Sequence, residues 1–245
     1  MSKAFHVMIP ARFESSRLPG KLLLELNGQS VLERTYKQAL KAKPQGVTIA
    51  TDNESIVSLA QSFGATVEWT KSTHQSGTDR LAEVVERVGF DKDDIIVNVQ
   101  GDEPFIDPSL ILQVVDAISS SEAPMATLCW PIESTEERDN PNVVKVVRDK
   151  WNNALYFSRS VIPAHRSHGD DISLLFRHIG LYAYKAQFLV DIVKQSPCQL
   201  ELTEGLEQLR MLWLGHNINV EEACTKPLQD INTPEDLKRA LALCS

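Results

Sequence analysis

Several signatures of common functional classes are missing from this chain of 245 residues. Its four cysteines are far apart and form no C-x-x-C pair, so we do not expect a zinc site. We expect the cysteines to be reduced thiols in a cytoplasmic protein. No apolar stretch approaches the roughly 20 residues of a membrane-spanning helix, and Pro10 comes too early for a secretory signal peptide. We therefore expect a cytoplasmic protein without a membrane span.

An excess of positive charge is also missing. The chain has 33 acidic and 25 basic residues, with a formal net charge of -8. Such a balance argues against general binding to a phosphate backbone, so no nucleic-acid partner is expected. The length and the 42% hydrophobic content fit one large domain or two small ones with a sizeable core.

Glycine is sparse, and both the phosphate-loop pattern G-x-x-x-x-G-K-[ST] and the dinucleotide pattern G-x-G-x-x-G are absent. Backbone amides alone would therefore hold a phosphate poorly. The segment "IPARFESSRLPGKLL" instead gathers Arg12, Arg17 and Lys21 behind the first apolar run. Long cationic side chains of this kind can neutralise a triphosphate, although a solvated basic loop is the simpler alternative.

Apolar runs alternate with helix-period segments through the first half of the chain. "AFHVMIP", "GVTIATD", "TVEWT" and "DIIVNVQGD" are strand-like, and helical segments separate them. This order predicts an α/β fold: a Rossmann-like, mainly parallel sheet with helices on both faces. We expect a single domain over residues 1–245 with a strand-rich inserted lobe at about 125–184. Helices then return, including one over "TEGLEQLRMLWLG".

Polar clusters follow the predicted strands, at the edge where open parallel sheets bind ligands. They are the Arg12–Lys21 segment, Thr51 with Asp52, "HQSGTDR" and "QGDEP". Each also has a structural alternative. Asp52 can cap the helix beginning near Glu54, Ser76 or Thr78 can cap the following helix, and "GDEP" can be a turn. Their joint placement on one edge favours a binding site.

Nine blocks in register resemble the 3-deoxy-manno-octulosonate (KDO) cytidylyltransferases. They are "IPAR-x-x-S-x-RLPGK", "ATD", "HQSGTDRLAEVV", "VNVQGDEP", "NPNVVKVV", "LYFSR", "RHIGLYAY", "LEQLR" and "TPEDL". The resemblance implies that the anomeric 2-hydroxyl of KDO attacks the α-phosphorus of CTP, that pyrophosphate leaves, and that CMP-KDO for lipopolysaccharide forms. It also implies a homodimer.

The resemblance also implies roles for particular residues. Arg12, Arg17 and Lys21 resemble the triphosphate clamp, and Asp102 resembles the ligand of Mg²⁺, a hard cation that prefers oxygen. Arg12, Lys21 and Asp102 would be the catalytic group. Cytosine and ribose would contact Thr51, Asp52, Gln75, Ser76, Gly77, Arg80 and Gln100.

The implied sugar site is composed of Arg159, Arg166, His178, Tyr182, Glu207, Gln208 and Arg210. Some of these residues have structural alternatives. A lone histidine such as His178 is more often structural, and Glu207 with Arg210 at i, i+3 can be a surface pair.

The chain departs from the family at "DINTPEDL", where most members read G-V-D-T-P-E-D-L. Asn232 occupies the position of an aspartate associated with a second Mg²⁺. Asp230, two residues earlier, would point to the same side of an extended segment, and we interpret it as a relocated ligand. The alternative is that Asn232 still binds the metal and Asp230 caps the helix that begins near Thr233.

Three other functions compete with this interpretation. The same reaction on 8-amino-KDO or a sialic acid is the nearest. A nucleotide-sugar glycosyltransferase would commonly use D-x-D, whereas Asp102 and Glu103 are adjacent and would point apart. A catalytically silent nucleotide-binding protein would not need Arg12, Lys21 and Asp102 together.

Overall fold

The computed structural model describes residues 4–14, 18–166, 171–228 and 230–244. The strands are β1 (Phe5–Ala11), β2 (Glu25–Leu26), β3 (Gln29–Ser30), β4 (Gly46–Thr51), β5 (Thr66–Trp69), β6 (Ile95–Asn98), β7 (Met125–Pro131), β8 (Lys145–Arg148), β9 (Ala154–Ser158), β10 (Phe176–Lys185) and β11 (Ile218–Glu222). The helices are α1 (Val31–Lys41), α2 (Glu54–Ser62), α3 (Gly77–Val88), α4 (Pro108–Ser120), α5 (Thr135–Asp139), α6 (Ala186–Ile192), α7 (Gln199–Glu204), α8 (Gln208–Trp213) and α9 (Pro234–Leu243), and a 3₁₀ turn covers Lys21–Leu23.

The central sheet has the strand order β11-β7-β10-β6-β1-β4-β5. Strands β6, β1, β4 and β5 pair in parallel, β7 and β11 also pair in parallel, and β10 runs antiparallel between β6 and β7. Parallel strands joined by helices need crossover connections, which the alternating pattern predicted. The mainly parallel α/β fold is therefore confirmed.

Two apolar cores lie on opposite faces of this sheet. Alternate residues of a strand point to opposite faces, and β1 shows this directly because Val7 and Ile9 join one core whereas Met8 joins the other. Helices α1, α2 and α4 contribute to the first core, and α3, α6 and α8 contribute to the second. Burial on both faces explains why β1 and β6 are almost uninterrupted apolar runs.

The strand-rich segment predicted at about 125–184 is not a separate sheet. Its first and last strands, β7 and β10, lie within the central sheet. Strand β8 pairs with both β10 and β9, so β8 and β9 extend the sheet from β10. What is added to the α/β core is therefore mainly the β8–β9 hairpin, together with the chain that leads back to β10.

The prediction of one helix over "TEGLEQLRMLWLG" is wrong. Helix α7 ends at Glu204, Gly205 adopts a left-handed conformation with φ of 62°, and α8 begins at Gln208. Glycine ends helices in this way because it has no Cβ to clash in that conformation. The break places Glu207 at the start of α8.

Among the described residues, no helix combines the length and the hydrophobicity needed to span a membrane. Cys129, Cys198, Cys224 and Cys244 are all free thiols.

Candidate active site

The predicted polar clusters meet where parallel strands β1, β4, β5 and β6 end. Pro10 of β1 is packed against glycines from two neighbouring loops. A Cβ at Gly77 would lie 3.2 Å from Cγ of Pro10, and a Cβ at Gly101 would lie 3.3 Å from the Pro10 carbonyl oxygen. These approaches are tighter than ordinary van der Waals contact, so a side chain at either glycine would push the loops apart.

The cationic segment after β1 contributes Arg12 and Lys21. Atom Nη2 of Arg12 is buried and has no hydrogen-bond partner among the described residues. Buried donors are normally paired, so this one is suited to an incoming anion. Gly20, with φ of 65°, precedes the 3₁₀ turn that presents Lys21. The third predicted clamp residue, Arg17, lies outside the described residues.

Lys21 joins this segment to the predicted metal ligands. Its Nζ forms a salt bridge with Oδ2 of Asp102 and donates to Oδ1 of Asn232 at 2.9 Å. Asn232 in turn donates through Nδ2 to the carboxylate of Asp230. The backbone N–H of Ile231 donates to the Asp102 carbonyl at 3.0 Å. The structure thus brings together Lys21 and the three predicted metal ligands.

The carboxylates of this group are crowded. Burial, followed by repulsion from Asp102, raises the pKa of Asp230. Burial, then Asp102 and Asp230, raises the pKa of Glu103 well above its usual range. Glu103 lines a small pocket with apolar neighbours that include Phe105 and Leu110, as expected if it points away from Asp102. A cation bound beside Asp102 and Asp230 would relieve the repulsion between these carboxylates.

Asp230 does not cap the last helix. Thr233 is the N-cap of α9, and its side chain and that of Asp236 form a capping box. Asp236 also accepts from the backbone N–H of Asn232 at 3.0 Å. The alternative in which Asp230 serves as the helix cap is therefore wrong.

Asp52 does not cap α2, because the next residue, Asn53, is the N-cap of that helix. Asn53 Oδ1 accepts from the backbone N–H groups of Ser55 and Ile56 at the start of α2. Asp52 instead pairs with Arg80 at 3.0 Å, and Arg80 also donates to Thr70. Arg80 is buried, with 1% of its surface exposed, so its guanidinium contacts Asp52 and Thr70 from below the protein surface. Thr51 is also fully buried.

Polar contacts with α3 hold the loop that precedes this helix. The Ser76 side chain caps α3 by accepting from the backbone N–H of Asp79. Of the two predicted caps, Ser76 and Thr78, Ser76 is therefore confirmed. His74 contacts the Glu83 carboxylate at 2.5 Å, and the same carboxylate accepts from the backbone N–H of Lys71 at 3.0 Å. Gln75 is exposed at the end of this loop. The loop is therefore ordered by contacts to α3.

A cleft of about 240 Å³ lies beside this loop. Its lining includes several residues from both predicted substrate sites, namely Gly77, Gln100, Tyr182, Glu207 and Gln208. It also includes Thr78, Asn98 and Tyr184, which the sequence did not assign to binding. One of these was detectable, because Tyr184 follows Tyr182 by two residues within β10, which places both on one face of the strand. The described lining contains no lysine or arginine.

Burial shifts the pKa values of Glu207 and His178 in opposite directions. Burial is the main cause that raises the pKa of Glu207, although hydrogen bonds from Thr78 and Ser76 oppose it. Burial lowers the pKa of His178 to about 3, so this ring is neutral. It lies 3.0 Å from Oγ1 of Thr127 and its centroid is 5.2 Å from that of Tyr182. His178 can therefore act only as a neutral hydrogen-bonding group.

The three arginines of the predicted sugar site do not line the described part of the cleft. Arg159 donates to the carbonyls of Glu204 at 2.6 Å and Pro141 at 3.0 Å. Arg166 is exposed. Arg210 does not form the proposed surface pair with Glu207; it binds the carboxylate of Glu201 with two nitrogens and the Gln195 carbonyl with a third. The geometry of Arg159 and Arg210 is that of structural contacts.

The chain is similar to known proteins over nearly its whole length. The family model described as "Cytidylyltransferase" matches residues 6–218. The 3-deoxy-manno-octulosonate cytidylyltransferase of Legionella pneumophila (strain Lens) is 61% identical over 237 residues, which cover 97% of this chain and 95% of the relative. The enzyme of the same name from Vibrio campbellii is 49% identical, covering 98% and 97%. A solved structure of CMP:2-keto-3-deoxy-manno-octonic acid synthetase complexed with CTP is 37% identical, with a TM-score of 0.91 and 98% coverage of both chains.

The contacts of Arg210 predict that its loss affects folding. Arg210→Ala would leave the buried Glu201 carboxylate unpaired, and we expect this to lower the free energy of unfolding by about 3 kcal/mol. Lys194→Ala is the control, because Lys194 pairs with Glu86 at an exposed site and such pairs contribute less than about 1 kcal/mol. Urea unfolding measures both. A stable Arg210→Ala variant with a weakened sugar site would contradict the structural role.

Proposed function

The chain belongs to the cytidylyltransferase family, among the 3-deoxy-manno-octulosonate cytidylyltransferases, and on that premise we propose that it transfers CMP from CTP to the anomeric 2-hydroxyl of KDO. Pyrophosphate is released, and CMP-KDO is formed for lipopolysaccharide biosynthesis. The observation that carries the proposal is the continuity of the site. Gln100 lines the cleft, and two residues later Asp102 contacts Lys21 of the cationic segment.

The phosphate end of the site is formed by cationic side chains. Arg12 has a buried nitrogen with no hydrogen-bond partner in the described part of the chain, and Lys21 projects toward the carboxylate of Asp102. Nucleotidyl transfer depends on positioning and on neutralising the charge of the phosphates. Arg12 and Lys21 would hold the leaving pyrophosphate, together with Arg17. In this arrangement the protein needs no covalent intermediate.

We propose Mg²⁺ as the cofactor, held by Asp102, Asp230 and the amide oxygen of Asn232. The oxygen donors of these side chains are the type that Mg²⁺ prefers, with phosphate oxygens and waters completing its coordination. Burial and then repulsion from Asp102 raise the pKa of Asp230. This supports a cation here, because a divalent charge would stabilise both carboxylates. When bound, Mg²⁺ would neutralise charge on the triphosphate.

The sugar end of the cleft is mostly neutral. Gln208 and Tyr182 offer hydrogen-bond donors from two different elements, and Glu207 offers a carboxylate that can accept a sugar hydroxyl. These groups can orient a polyhydroxylated acid without a cation among the described lining residues. The cleft would then place the attacking hydroxyl near the phosphates held beside Lys21.

We further propose a cytoplasmic homodimer. Free thiols at all four cysteines support a reducing compartment. Among the described strands, β9 pairs only with β8, and exposed apolar side chains lie on and next to it, Trp151 at 68% and Leu155 at 60%. A strand edge of this kind invites pairing or cover. Light scattering at micromolar concentration would show a dimeric mass, and a monomeric mass would contradict the proposal.

The proposed reaction predicts a defined substrate pattern. Pyrophosphate release is expected with CTP and KDO, and much less with ATP, GTP or UTP in place of CTP. A coupled assay across the four nucleotides, with KDO, 8-amino-KDO and a sialic acid as acceptors, measures it. Release with 8-amino-KDO in preference to KDO would reassign the acceptor. No release with any acidic sugar would contradict the proposed function.

The proposed metal ligands predict unequal effects of two neighbouring substitutions. Asp230→Ala is expected to lower turnover by at least about tenfold more than Asn232→Ala, because a charged carboxylate binds Mg²⁺ more strongly than an amide oxygen. Since Thr233 caps α9, neither change should remove a helix cap. Turnover is measured as a function of Mg²⁺ concentration, with urea unfolding as the control for stability. A silent Asp230→Ala, with Asn232→Asp more active than wild type, would show that Asn232 holds the position.

A further inference from the structure

One face of α3 contacts the chain that comes just before the helix. Arg80, Glu83 and Arg87 are spaced by three and four residues, so their side chains lie on the same side of α3. Arg87 pairs with Glu68 of β5 at 2.6 Å, and Arg80 donates to the Thr70 hydroxyl just beyond that strand. This face of α3 therefore holds the end of β5 and the start of the loop before α3.

Glu83 lies in the middle of this face and contacts the turn formed by residues 71–74. Its Oε2 accepts from the backbone N–H of Lys71 at 3.0 Å and also contacts Nε2 of His74. One carboxylate oxygen thus contacts the first and the last residue of the turn. The Glu83 and His74 side chains are only 18% and 17% exposed, so solvent screens their contact less than it screens a surface pair.

The turn that Glu83 holds orients Gln75. Nε2 of Gln75 donates to the Thr73 carbonyl oxygen at 3.1 Å, and Thr73 lies inside the turn. The direction of the Gln75 side chain therefore depends on where the turn is held. The following residue, Ser76, is fixed separately as the cap of α3. Gln75 is thus the implied nucleotide-binding residue that this turn positions.

We propose that Glu83 is a positioning residue for the nucleotide, holding the turn of residues 71–74 so that Gln75 meets the bound CTP. This inference rests on the proposed function, in which Gln75 belongs to the nucleotide site. Glu83 is not among the described residues that line the cleft, so its effect passes through the turn. The effect is placed at the nucleoside end of CTP, because the phosphates would be held by the separate cationic segment that contains Lys21.

The test is the affinity of Glu83→Ala for CTP and for CMP, measured by calorimetry without an acceptor sugar. We expect Kd for both nucleotides to rise about tenfold, because the turn loses its hydrogen bonds to a charged group. The two losses should be equal, since CTP and CMP share the nucleoside that Gln75 would contact. Glu86→Ala is the matched control, because Glu86 lies on the same helix and pairs with Lys194 at an exposed site. It should leave both affinities unchanged.

Two further variants separate positioning from a loss of stability. His74→Ala removes a contact at the end of the turn without changing α3, and it should also weaken CTP and CMP equally. Since His74 and Glu83 share one contact, the double variant should lose less affinity than the product of the two single factors. Glu83→Gln keeps an oxygen that can accept from the Lys71 N–H, so it should recover part of the affinity.

Turnover gives a second readout that a general structural effect would not reproduce. At saturating CTP, kcat and KM for KDO should stay within about twofold of wild type in Glu83→Ala, because the loss affects only nucleotide binding. A defect that spread through the site would lower kcat as well.

The possible outcomes are distinct. Equal losses for CTP and CMP, with a non-additive double variant and an unchanged kcat, support the proposal. Wild-type affinity in Glu83→Ala, a loss for CTP without one for CMP, or strict additivity with His74→Ala overturns it. Urea unfolding identifies a loss of stability in Glu83→Ala, and in that case His74→Ala provides the decision. Wild-type protein that binds CTP but releases no pyrophosphate with KDO would instead refute the proposed function.

Discussion

Pro10 is packed against Gly77 on one side and Gly101 on the other, and this packing at the end of β1 holds the site together. Gly77 starts the helix that follows β5, and Gly101 belongs to the loop that follows β6. A methyl group at either position would lie closer to Pro10 than ordinary van der Waals contact, so a neighbour would have to shift by a few tenths of an ångström. The loop before α3, the Asp102 loop and the cationic segment therefore share one steric constraint at Pro10.

Charge is distributed unevenly within this frame. The cationic segment meets Asp102, Asp230 and Asn232 at one end, where burial and then repulsion from Asp102 raise the pKa of Asp230. Lys21 offsets part of that repulsion through its contacts with Asp102 and Asn232. In an acidic protein, such a concentration of carboxylates near an anionic substrate would be unfavourable without cations. The arrangement is consistent with a site that is completed by a divalent cation and a phosphate group.

The sequence predicted those features that depend on strong periodicity. The buried strands β1 and β6, the parallel order and the meeting of polar clusters on one edge were all accessible from it. The helix break at Gly205 was missed because Leu206 and Leu209 continue the apolar spacing of a single helix across it. Asn53 rather than Asp52 caps α2, and Asp52 pairs with Arg80, a residue distant in sequence. Local patterns do not specify such tertiary partners.

The assignment of arginines shows the same limit at the sugar end. Arg159 and Arg210 are the residue type expected for binding a carboxylate, yet their guanidinium groups bind protein carbonyls and Glu201. His178 is neutral because burial lowers its pKa. An acidic sugar would then meet neutral donors and one carboxylate, Glu207, whose ionised form would repel it. Burial raises the pKa of Glu207, and this reduces that repulsion because a larger fraction of the carboxyl group is neutral.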